Sequence, residues 1–142
     1  LSFDRQLWMR PEIIPGLRRL TDALHAEGAA AGIQLGHCGN MSHKSICGCM
    51  PVGASSGFNL YSPTFVRGLR ADELPEMARA YGRSVNLARE AGFDSVEIHA
   101  GHGYLISQFL SPSTNHRKDE FGGSLQNRMR FMDMVIDEGC RQ

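Results

Sequence analysis

"DSVEIHAGHGYL", running from Asp94 to Leu105, begins as a strand and ends as something else. Val96 and Ile98 are β-branched and alternate with Glu97 and His99, the two-residue period of a strand. Gly101 and Gly103 then break regular structure, interleaved with His102 and Tyr104. Three proton-handling side chains therefore cluster where a strand gives out. Upstream, "AGIQLGH" (Ala31 to His37) reads as a second short strand, with Ile33 and Leu35 on one face and Gln34 and Gly36 on the other.

A helix precedes each strand. Leu17, Leu20 and Leu24 recur at helical spacing, with Pro15 in the first turn and Gly28 closing the segment. Leu74, Ala78, Tyr81, Val85 and Ala88 mark a second helix, favoured at its start by Asp72 and Glu73 and ended by Gly92. Leu125, Met129, Met132 and Ile136 mark a third, with Ser124 as N-cap. Between the first strand and the second helix, the stretch from Cys38 to about Leu69 is rich in Gly, Ser, Pro and Asn and reads as a long irregular loop, a length that usually signals function or disorder.

Strands alternating with amphipathic helices mean parallel βα units, hence an α/β fold. Two strands are too few for a parallel sheet with covered edges, and an eight-stranded (β/α)8 barrel takes about 250 residues. The chain of 142 residues, starting at Leu1 without a methionine and stopping at Gln142 just after a helical pattern, reads as a middle section cut at both ends. If the aliphatic strand faces meet the helices, Gln34, Glu97 and His99 point together into a barrel interior. Catalytic groups of barrels come from the C-terminal strand ends, where His37, His99, His102 and Tyr104 all lie.

The totals exclude several classes. Fifteen basic and fifteen acidic side chains give a formal net charge of zero, so nothing steers the chain toward nucleic acid or an anionic membrane. Apolar residues make up 42%, enough for a core, yet no run is long enough to span a bilayer and no signal peptide is visible. Four cysteines without secretory features read as reduced thiols, which points to the cytoplasm, and the totals leave homo-oligomerisation open. Tyr81 and Met129, Met132 and Met134 read as helix packing, and the run His116–Arg117–Lys118 as a solvated loop with Arg128 bracing it.

The segment "GFDSVEIHAGHGYLISQFLSPSTNHRKDEFGGSLQNRMRF", Gly92 to Phe131, resembles the Old Yellow Enzyme family of FMN-dependent oxidoreductases. In that family a strand ends in His-x-x-His or His-x-x-Asn, followed by Gly-Tyr-Leu and a QFLSP…N.R.DE[YF]GGS..NR.RF segment. The part "GLRRLTDALHAEGAAAGIQLGH" resembles the preceding helix and the third barrel strand. The resemblance implies that residues 1–142 are the central part of one FMN-binding (β/α)8 barrel domain, around its third and fourth strands. It implies FMN as cofactor, NADH or NADPH as reductant, and a small substrate with an activated double bond.

Carried over residue by residue, Gln34 is similar to the glutamine that hydrogen-bonds the flavin's pyrimidine edge. His99 and His102 match the pair that holds the substrate's carbonyl or phenolate oxygen, His99 also lying near the flavin, and Tyr104 matches the proton donor. The residue types suit that chemistry: negative charge develops on the oxygen, where fixed donors stabilise it, and the α-carbon then needs a proton from a positioned acid. The glycines let the backbone turn tightly enough to present both groups to one ligand. One departure stands out, since the family often has "HAGR" after its third strand and this chain reads "HCGN", His37 to Asn40. Two competing readings are an inactive barrel remnant and a zinc module. His37, Cys38, His43, Cys47 and Cys49 cluster within thirteen residues, but Cys-x-Cys is tighter than the usual ligand gap.

Overall fold

The computed structural model of the chain describes residues 5–60 and 63–141. Helix α1 (Ile14–Ala26) follows a 3-10 turn at Pro11–Ile13, with Pro15 in its first turn where a missing N–H costs nothing. Gly28, at φ +75°, ends it. Only Leu17 and Thr21 of α1 are buried, whereas Leu20 is 51% exposed, so the apolar stripe read from the sequence is half uncovered in this chain. Strand β1 (Gly32–Leu35) comes next. Its start is held by the Asp94 carboxylate, which accepts from the Ala31 amide at 2.7 Å and contacts His25 Nε2 at 2.8 Å. Those two hydrogen bonds, the backbone one first, hold the Asp94 carboxyl below its ordinary pKa.

The stretch expected to be an irregular loop has structure of its own. A 3-10 turn (Gly39–Met41) and a one-turn helix α2 (Lys44–Cys47) lead to β2 (Val52–Gly53), β3 (Gly57–Asn59) and β4 (Thr64–Gly68). These make a small sheet with β4 in the middle, parallel to β2 and antiparallel to β3. Strands β2 and β3, of two and three residues, are too short to display a hydrophobic period, and β4 (TFVRG) does not alternate apolar with polar, which is why the stretch reads as loop from composition. The part of the loop expectation that falls on Tyr61 and Ser62 lies outside the described residues.

Helix α3 (Leu74–Glu90) returns the chain to the first sheet, where β5 (Ser95–Ile98) pairs with β1 in parallel. Gly92, at φ +86°, makes the turn between them. A Cβ there would lie 2.9 Å from Thr21 Oγ1, so only glycine lets α3 end against α1. Thr21 is fully buried, and its hydroxyl donates to the Ala91 carbonyl at 2.6 Å. Short helix α4 (Leu105–Leu110) follows β5 across the loop of residues 99–104, and α5 (Leu125–Cys140) is capped by Ser124, whose hydroxyl accepts from the Asn127 amide.

The core gathers α3, α4 and α5: Leu74, Tyr81, Leu105, Phe109, Phe131 and Val135 bury against one another, with the Phe109 and Phe131 rings 4.6 Å apart. Met132 and Met134 pack along its edge, as helix packing requires, and Tyr81 is 6% exposed within it. Arg117 departs from the solvated reading. His116 and Lys118 are exposed, but the Arg117 side chain is 8% exposed and donates to the Ala54 and Leu69 carbonyls and to Asp119. Its guanidinium lies over the rings of Phe109 and Phe121, an arrangement in which carbonyls, a carboxylate and π faces replace water. Arg128 donates to the Leu110 carbonyl at 2.7 Å and does brace this loop. Among the described residues no helix is long and apolar enough to cross a membrane.

Candidate active site

The parallel register sets the site. Gln34 stands opposite Glu97, so the two polar side chains project from the same face, and Gln34 Nε2 donates to Glu97 Oε1 at 2.8 Å. One pleat further, Gly36 lies against His99. A Cβ at Gly36 would come within 3.3 Å of His99 Cβ, so the missing side chain is what leaves room for the imidazole. The strand ends are tied together beyond that point, the His99 amide donating to the Leu35 carbonyl and the Leu105 amide to the His37 carbonyl.

His99 is buried, with 9% exposure. His102 is the one non-glycine at positive φ among the described residues (φ +54°), and Gly103 follows at φ +73°. A histidine in the left-handed region is uncommon and strained, and such strain persists where the surroundings enforce it. Its effect is to fold the loop back, so that the His102 ring stacks on His99 with centroids 5.1 Å apart and Nδ1 3.4 Å from His99 Nε2. Tyr104, in extended backbone at the start of α4, sets its ring edge-on to His99, also at 5.1 Å. The sequence-predicted trio is thus assembled around one imidazole.

Gln34, Gly36, His37, His99 and Tyr104 line an open cavity of about 550 Å³. Among the described residues Gln34 Oε1 accepts no hydrogen bond, and the Tyr104 hydroxyl makes none. A free amide oxygen beside an open, mostly apolar cavity fits the imide N–H edge of a flat aromatic flavin, so the residues present are compatible with FMN. His37 has a different local task. Its Nδ1 accepts from the Gly39 amide at 3.0 Å, and burial lowers its pKa to about 4, so the ring is neutral and shapes the turn after β1.

The residues of the zinc reading are not gathered around one point. His43 caps α2 through Ser45, Cys38 is buried facing Gln6, and among the described residues no three His, Cys, Asp or Glu side chains could hold one ion.

Sequence reasoning missed the residue that joins the two strand-end loops. Gln108, on α4 and 1% exposed, donates to the Gly103 carbonyl at 2.6 Å and to Asn40 Oδ1 at 2.8 Å, and accepts from the Asn40 amide at 3.3 Å. Asn59, on β3, in turn donates to the Asn40 carbonyl at 2.6 Å. Asn40 is the position where the family often has arginine, and here it serves this amide network. The only hint in the sequence was indirect. Gly39 and Gly53 leave space that a Cβ would take from Gln108, at 2.4 and 2.9 Å.

Comparison with known proteins agrees with this architecture. The profile of the NADH:flavin oxidoreductase / NADH oxidase family matches residues 4–141. An NADPH dehydrogenase of Bacillus subtilis is 41% identical over 135 residues, covering 95% of this chain and 39% of the relative. The structure of morphinone reductase in complex with tetrahydroNAD superposes with a TM-score of 0.89 at 33% identity, over 94% of this chain and 41% of that one. An Old Yellow Enzyme homologue from Zymomonas mobilis gives 0.88 at 35%, over 93% of this chain and 40% of that one. The chain therefore spans about two fifths of each of these relatives. It carries part of their (β/α)8 barrel, with β1 and β5 as adjacent parallel strands and no closed barrel within these residues. Family profile, fold and relatives coincide: the chain belongs to the NADH:flavin oxidoreductase / NADH oxidase family, whose cofactors are FMN and NAD(P)H.

Proposed function

We propose that the protein carrying this chain is a cytoplasmic oxidoreductase that reduces a small molecule with an activated alkene, with His99 and His102 holding the carbonyl oxygen and Tyr104 donating the proton. The observation that carries the reading is the convergence of His102 and Tyr104 on the buried His99 ring, both with centroids at 5.1 Å. Bound FMN supplies the hydride, taken from NADH or NADPH. The facing nitrogens of His99 and His102, 3.4 Å apart, can each turn an N–H toward one oxygen and stabilise the charge that develops there. Tyr104, with its hydroxyl uncommitted, would hand a proton to the α-carbon. Gln34 holds the flavin's pyrimidine edge through its free Oε1, oriented by the bond from its Nε2 to Glu97.

Stopped-flow kinetics of the flavin-loaded protein test the proposal. Tyr104→Phe is expected to slow the alkene half-reaction by about 10²–10⁴-fold, the usual contribution of a general acid, while leaving flavin reduction by NAD(P)H nearly unchanged. Equal slowing of both half-reactions would refute Tyr104 as the proton donor.

A further inference from the structure

Cys47, the last residue of α2, lies on the wall of the same cavity, Gly48 and Cys49 follow it, and the pair of thiols is used by nothing described above. We propose that Cys47 and Cys49 form a redox-active dithiol that exchanges with low-molecular-weight disulfides at the rim of this cavity.

The two sulfurs already touch, with Sγ–Sγ 3.9 Å, so a bond of about 2.05 Å needs only a side-chain rotation and a modest backbone adjustment. Gly48 provides that adjustment. It sits at φ +73° with nothing within 4 Å of where a Cβ would be. Cys47 is half-buried and lines the cavity, Cys49 is exposed, and neither is tied to a metal cluster. Cys38 and Cys140 offer no such pair, the first buried against Gln6 and the second alone at the end of α5.

The surroundings also divide the roles. Burial pushes the Cys47 thiol up, but hydrogen bonding with the Ser42 side chain, the Cys49 backbone and the Cys49 thiol outweighs it, and the net direction is down. Cys49 is raised, chiefly by its hydrogen bond to Cys47. Cys47 is therefore the attacking thiolate and Cys49 the resolving thiol. In the first step Cys47 Sγ attacks one sulfur of the small disulfide, forming a mixed disulfide and expelling one thiolate, which takes up the proton Cys47 released. In the second, Cys49 Sγ attacks Cys47 Sγ and expels the other half as a thiol. One disulfide and one dithiol become one internal disulfide and two small thiols, with no other oxidant. A disulfide spanning a single residue is strained and exposed, which makes it readily reduced and the exchange reversible.

Oxidised glutathione is the probe, followed by alkylation, tryptic digestion and mass spectrometry of the folded protein. Cys47 and Cys49 share the peptide Ser45–Arg67, which contains no other cysteine, and exposed Cys140 serves as a single-thiol control. The expected result is a peptide two hydrogens lighter, without alkyl or glutathione adducts, while Cys140 keeps a glutathione adduct. Cys49→Ser should trap glutathione on Cys47, and Cys47→Ser should slow loss of the remaining thiol at least roughly tenfold. A wild-type peptide that stays fully alkylated, or that carries stable glutathione on both cysteines while Cys140 reacts, would overturn the proposal.

Discussion

Replacing Gln108 with alanine removes the side chain that joins the loop after β1 to the loop after β5. Three hydrogen bonds, at 2.6, 2.8 and 3.3 Å, disappear from a site with 1% exposure. Each contributes about 1 kcal/mol net, and the abandoned Gly103 carbonyl and Asn40 amide are left in a small cavity without partners, so the loss amounts to about 3–5 kcal/mol. At a urea m-value near 2 kcal/mol/M, the unfolding midpoint of the intact protein should fall by roughly 1.5–2.5 M with little change in slope. Gln108→Glu separates hydrogen bonding from volume. It keeps the shape but turns a carboxyl toward two oxygens, raising its pKa in the folded state above the unfolded value. Stability of that variant is then highest at low pH and is lost as pH rises through the folded pKa. A midpoint shift equivalent to less than about 1 kcal/mol for Gln108→Ala would refute the idea that this side chain holds the two loops together.

Arg117→Met is expected to cost about 3 kcal/mol, because the Ala54 and Leu69 carbonyls and Asp119 lose a buried shared donor. Arg117→Lys should recover little of it, since an ammonium cannot fork toward three acceptors, and a wild-type thermal midpoint in the lysine variant would sink that reasoning. His37 makes the fold acid-sensitive. Its folded pKa of about 4 lies below the ordinary value of 6.5, so the unfolded chain takes up the proton first. The resulting stability is complete above pH 6.5 and is lost as pH falls toward 4, by up to about 3 kcal/mol. Urea midpoints across that window should therefore slope less in His37→Gln than in wild type, and identical slopes would exclude His37 as the cause.

The helices were legible because each carries a periodic apolar face long enough to count, from Leu74 to Ala88 above all, and the two short parallel strands because Ile33 and Leu35, and Val96 and Ile98, alternate with polar or small residues directly after a helix end. His99, His102 and Tyr104 were legible because the glycines around them mark an abrupt change of backbone at a strand end. The small sheet of β2, β3 and β4 was hidden, β2 and β3 being too short for a period, β4 lacking alternation, and the composition around them being that of turns. Gln108 was hidden for another reason. Its partner Asn40 lies 68 residues away in sequence, and no local pattern reports a bond across that distance. Arg117 looked like part of a charged, hydrated run. Only the tertiary fold supplies the two carbonyls and two aromatic faces that take the place of its water.

The register of β1 against β5 also bears on the order in which the chain folds. Gln34 meets Glu97 across a separation of 63 residues, and closing a flexible loop of that length costs about 3.7 kcal/mol of chain entropy before any pairing is gained. The β3–β4 hairpin and helix α3 lie inside that loop and need only local contacts. Once they form, the effective loop is shorter and the remaining closure is cheaper. Strand pairing, and with it the meeting of Gln34, Gly36 and His99, thus belongs to the late part of the folding reaction. Substitutions in that seam should act mainly on the unfolding rate, and substitutions in the hairpin and α3 mainly on the folding rate.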